Sequence, residues 1–172
     1  MSLFKKNPKI EVKPSALDKK LYFAGWFVVA LNILAVLYFY FDLPDTIPTH
    51  FNLEGRVDGY GHKSTLLAIP MLSAGLYLAL GLMATKMKPW HMNYPVRVTA
   101  ENAPKLYPIA RRMLIVINLC FVIAFLITTV IILFNILGWV HALDIKALIG
   151  LWILNGLLPL YYVYKMFKVA RE

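Results

Sequence analysis

Apolar positions along this chain fall into four long runs, at residues 21–41, 66–85, 113–137 and 145–164. Each is close to the length, about twenty residues, that an α-helix needs to cross a hydrocarbon core about 30 Å thick. The runs are continuously apolar instead of alternating, which predicts helices and not the strands of a barrel. The first three carry no charged residue, and the fourth carries only Lys146, at its outer edge, where a lysine can snorkel. The third stays apolar as far as Val140, longer than a span requires, so it tilts or its last turn emerges into the headgroups. The first run is longer than the apolar core of a signal peptide and no small-residue cleavage site follows it, so it counts as a span. The predicted fold class is an all-α integral membrane protein of four transmembrane helices. A basic tail at 1–20 precedes a four-helix membrane domain at 21–172.

Composition agrees: 60% of the 172 residues are hydrophobic and 16% charged, yet the net charge is +9. That balance excludes a disordered chain and a disulfide-stapled secreted module. The single cysteine, Cys120, lies in an apolar run, which rules out an intramolecular disulfide and a Cys-rich zinc site. The basic residues are divided among the segments between spans, which speaks against direct nucleic-acid binding. Fifteen of the 18 Lys and Arg fall in the tail, the second-to-third connection and the C-terminal segment. Only Arg56, Lys63 and Lys146 fall on the other side. The positive-inside rule then places both termini in the cytoplasm and the 42–65 loop outside. That outer side also receives three of the four histidines, His50, His62 and His141.

No ionisable residue lies near the middle of a span, which argues against an ion-coupled transporter. Amides do occur, at Asn32, Asn118, Asn135 and Asn155, with Asn32 and Asn155 near the midpoints of their spans. Two readings follow. The amides make interhelical hydrogen bonds, worth ~0.6 kcal/mol each, or Asn32, Asn118 and Asn155 line a small polar pocket at mid-membrane. Pro159 should kink the fourth helix. In the second-to-third connection, Trp90, Tyr94 and Tyr107 stand among prolines and basic residues. They anchor at the headgroups or form a docking surface for a cytoplasmic regulator.

The outer loop is the richest stretch. Pro44 and Pro48 discourage helix there, and Gly55, Gly59 and Gly61 supply turn positions, with Asp58-Gly59 the hairpin signal. A compact, hairpin-like cap on the helix ends is expected. His50, Asp58 and His62 are the candidate ligands for a divalent metal such as zinc, which imidazole and carboxylate suit. The competing reading is that His50 and Asp58 hydrogen-bond the loop and hold its fold.

The order Leu43, Pro44, Ile47, Pro48, His50, Phe51, Asn52, Gly55, Asp58, Gly59, Gly61, Lys63 resembles the conserved domain of the SdpI-like family of bacterial membrane proteins. Asn93 to Thr99 and the Arg111-Arg112 pair are similar to it too, and the likeness covers about residues 21–135. It implies a multi-pass protein of the bacterial cytoplasmic membrane with a functional outer loop at His50, Asn52, Gly55, Asp58, Gly59 and Lys63. The family's best-known representative is an immunity protein against a secreted toxin that also holds a transcription repressor at the membrane. The implied partners are the bilayer, a secreted peptide toxin or a cytoplasmic repressor, with room for an oligomer. Three function classes compete: a non-enzymatic immunity or signalling protein, a membrane-embedded metal-dependent enzyme using the outer-loop His and Asp, and a small transporter or transporter accessory subunit. The first leads through the resemblance, and the second is weakened by the lack of a serine, cysteine or HExxH-type constellation in the outer loop.

Overall fold

Ser15 opens the first helix through a reciprocal cap. Its hydroxyl accepts from Asp18 N at 3.1 Å, and the Asp18 carboxylate accepts from Ser15 N at 2.8 Å. This box satisfies two orphan donors and starts α1 (Ala16–Tyr40) ahead of the apolar run, so the end of the expected tail is helical. The computed structural model describes residues 6–140 and 144–171, which leaves His141 outside the described residues. After α1 come β1 (Thr46–Phe51) and β2 (Val57–His62), a 3-10 turn at Lys63–Leu67, then α2 (Ala68–Lys86), α3 (Ala103–Ile136) and α4 (Ile145–Arg171). Among the described residues four helices are long and apolar enough to cross a membrane, the architecture of a multi-pass membrane protein. The all-α class needs one amendment, because β1 and β2 form a two-stranded antiparallel sheet.

The boundaries of α3 depart from the apolar run at both ends. It begins at Ala103, well before residue 113, since Pro104 in the first turn lacks only a donor that would have no partner there. It stops at Ile136, short of Val140, because Gly138 takes φ +74°. Gly138 N bonds Asn135 O at 3.0 Å and Trp139 N bonds Phe134 O at 2.9 Å, a Schellman stop. The Asn135 side chain joins it by donating to Val140 O at 2.9 Å.

Helices α1, α2 and α3 pack against one another, and α4 leans mainly on α3. Three buried clusters stack along the bundle. Near the sheet, Val36 and Leu133 meet Leu43, Ile47 and Leu66. Midway, Val29, Tyr77 and Val122 meet. There Gly25 lets Tyr77 approach, since a Cβ on Gly25 would lie 2.2 Å from the Tyr77 hydroxyl, which donates to Tyr22 O at 2.5 Å.

At the far end, Ala103, Leu106, Tyr107, Ala110 and Met166 form a base. The segment 6–15 lies across this base as a strap. Tyr107 donates to Pro8 O at 2.6 Å, Arg111 to Val12 O at 2.7 Å, and Asn7 to Met92 O at 2.9 Å. Trp90, Tyr94 and Tyr107, read from sequence as headgroup anchors or a docking face, belong to this base. Tyr107 is fully buried, while Trp90 and Tyr94 pack against it half-buried.

Candidate functional site

The hairpin is fixed to the bundle at its root. Leu43 and Ile47 enter the cluster with Val36 and Leu133, and burial of such side chains stabilises by roughly 1.5–3 kcal/mol each. Lys63 reaches back to donate to Leu43 O at 3.0 Å, pairs with Asp45 at 3.2 Å and lies over the Tyr40 ring. His62 is a helix cap: its Nδ1 accepts from Ser64 N at 3.2 Å at the head of the 3-10 turn.

The tip is built by Asn52, not by Asp58-Gly59. Asn52 Oδ1 accepts from Glu54 N at 3.0 Å and Arg56 N at 2.9 Å, and Gly55 follows at φ +78°. That is a three-residue hairpin loop with glycine in the left-handed position. Asp58 and Gly59 lie inside β2, where Gly59 stands opposite His50. Gly59 matters through space and not through φ, because a Cβ there would come within 2.8 Å of the His50 Cβ.

One further pair bridges the two strands. His50 sits where the register of β1 slips on either side of it. Strand irregularities of this kind re-aim a side chain. His50 Nδ1 donates to Asp58 Oδ1 at 2.5 Å, with the two side chains 73% and 42% exposed. A carboxylate only accepts, so the shared proton sits on Nδ1. Exposed Tyr60 and Leu53 share the hairpin with this pair. Their exposure left no mark in the sequence.

The three candidate metal ligands are not brought together. His50 and Asp58 touch, while His62 lies four residues along β2 from Asp58 and caps the 3-10 turn. Among the described residues no group of three or more His, Cys, Asp or Glu is placed to hold a metal ion.

The intramembrane amides make different contacts. Asn118 Nδ2 donates to Tyr77 O at 2.9 Å, tying α3 to α2. Asn155 donates within its own helix, to Leu151 O at 2.9 Å, and faces a cleft beside Cys120 and Ile123. Asn32 is fully buried on α1, between the levels of Val29 and Val36, and its amide makes no hydrogen bond among the described residues. Ser73 and Thr129, equally buried and unpaired, lie on the facing stretches of α2 and α3. Their period matches any core position, so sequence gives no way to single them out.

Sequence reading also passed over Asp18. It is 2% exposed and bonded to Arg112, whose Nη2 donates to Ser15 Oγ at 2.9 Å. The Ser15-x-x-Asp18 spacing was the available signal, a capping box in front of an apolar run.

Comparison with known proteins adds a region but no activity. A family described as a domain of unknown function (DUF1648) matches residues 27–74, which covers most of α1, the hairpin and the start of α2. An uncharacterized protein of Archaeoglobus fulgidus is 30% identical over 106 residues, covering 57% of this chain and 54% of that protein. The chain thus spans about half the length of this relative. No solved structure matches. The matched region contains the whole hairpin, so the His50–Asp58 pair lies inside it.

Proposed function

We propose that this is a non-enzymatic membrane protein of the immunity or signalling type, whose hairpin is the sensor or shield. In this reading it lies in the cytoplasmic membrane with both termini in the cytoplasm and the hairpin outside. A secreted peptide toxin is the partner the hairpin receives. The observation that carries the proposal is the His50–Asp58 pair, exposed at a strand irregularity. An exposed polar pair of this kind adds little to stability, between about 0 and 1 kcal/mol. Its chemistry is therefore free to serve recognition, with Tyr60 and Leu53 exposed on the same hairpin as apolar contacts.

The experiment expresses the wild type, His50→Ala and Asp58→Ala in a host exposed to a panel of secreted peptide toxins. Growth and membrane abundance are followed together. Both variants should reach normal abundance, because span length and flanking lysines set insertion, and both should lose protection. Undiminished protection in both variants would remove the pair from the mechanism. Sidedness is checked by a reporter after Glu172, which should read as cytoplasmic, and one inserted at the Leu53–Glu54 tip, which should read as external.

A further inference from the structure

Two clefts meet at the end of the bundle opposite the hairpin. One, of about 400 Å³, lies between α1, α2 and α3 and is walled by Tyr22, Phe23, Ala84 and Ile115. Lys19 and Arg111 also line it. The other, of about 190 Å³, lies beneath the strap and is lined by Lys13, Lys86, Lys88 and Arg111. Pro14, Thr85 and Arg111 belong to both, so an apolar slot and a cationic chamber share a wall.

The charges in this chamber are unequally matched. Glu11 pairs with Lys88 at 3.1 Å, and Asp18 is taken by Arg112. Among the described residues, no carboxylate pairs with Lys13, Lys19, Lys86 or Arg111. Arg111 gives one nitrogen to Val12 O and keeps the rest of its donor fork. A planar guanidinium with adjacent lysines is suited to phosphate oxygens. The slot lies at the start of α1 and the end of α2, and the ends of membrane-spanning helices are where headgroups meet acyl chains.

We propose that this composite slot binds one anionic phospholipid. Arg111, Lys13, Lys19 and Lys86 hold the phosphate-bearing headgroup, and an acyl chain lies along Tyr22, Phe23, Ala84 and Ile115. A zwitterionic headgroup brings its own cation into the chamber and is disfavoured there. Free phosphate leaves the apolar half unfilled. A bound lipid ties the strap, through Lys13 and Pro14, to the bundle.

The test is native mass spectrometry on the full chain in detergent, titrated with phosphatidylglycerol, phosphatidylcholine or inorganic phosphate. The wild type should retain one phosphatidylglycerol, which neither of the others displaces. Lys19→Gln/Lys86→Gln should bind it about thirtyfold more weakly. Lys165→Gln/Lys168→Gln removes the same charge from α4 at the same end and should bind as the wild type does. Melting without added lipid confirms that both variants fold. Equal weakening in the two double variants would overturn the proposal in favour of diffuse surface attraction. Displacement by inorganic phosphate, or equal retention of phosphatidylcholine, would overturn it too.

Discussion

The Arg112 guanidinium is bonded to the Asp18 carboxylate across 94 residues of sequence, joining the first turn of α1 to α3. The same arginine reaches Ser15 Oγ, so one side chain holds both members of the helix cap. Arg112→Ala leaves a nearly buried carboxylate without its cation. We expect a loss of about 2 kcal/mol, less than for a fully buried pair because the arginine is 30% exposed. Thermal unfolding in detergent should show Arg112→Ala melting well below the wild type. The double variant with Asp18→Asn should lose less than the sum of the two single changes. A fully additive double variant would mean that the two side chains are not coupled.

Tyr77 fills the space over Gly25. Gly25→Ala should therefore overpack the middle cluster and destabilise by about 1–3 kcal/mol. Tyr77→Leu costs stability on its own, but in that background Gly25→Ala should become nearly harmless. A Gly25→Ala penalty of the same size in both backgrounds would place its origin outside this contact.

The two hairpin glycines should fail differently. Gly59→Val drives a branched side chain against His50 and should expose the hairpin to limited proteolysis with the helices intact. Gly55→Ala forces a Cβ into the left-handed region, at a cost of about 1 kcal/mol, and should loosen only the tip. Circular dichroism beside the digestion pattern separates the outcomes. Cleavage of Gly59→Val no faster than the wild type would contradict the close His50 contact.

Burial pushes the Tyr94 phenol up, with Tyr107 beside it adding to the shift. The folded chain then holds this proton more tightly than the unfolded chain does. Its contribution to stability is complete below a free phenol's pKa of about 10 and declines as pH rises above it. Tyr94→Phe should flatten the fall of unfolding free energy between about pH 10 and 11, measured against the wild type. Superimposable slopes would remove Tyr94 from the alkaline limb.

The spans were legible because continuous apolar runs of membrane length have few other uses. Their ends were not, since Pro104, Gly138 and the Ser15 cap set those, and each acts through local backbone hydrogen bonds. The hairpin was legible through its prolines and glycines, but its turn was not. Asp58-Gly59 is the turn signal in sequence, whereas the bonds from the Asn52 side chain set the turn at Gly55 and leave Asp58-Gly59 inside β2. His50 and Asp58 stood out in sequence, yet their contact depends on a register slip that periodicity does not encode. The basal strap was illegible because its bonds, such as Tyr107 to Pro8, join residues 99 apart.

Helix α3 touches both ends of the molecule, through Leu133 in the hairpin cluster and through Tyr107 under the strap. The helical rise puts these two contacts about 40 Å apart on one unbroken rod. The packing of Leu133 beneath the hairpin and the bond from Tyr107 to Pro8 in the strap therefore hang on the same helix.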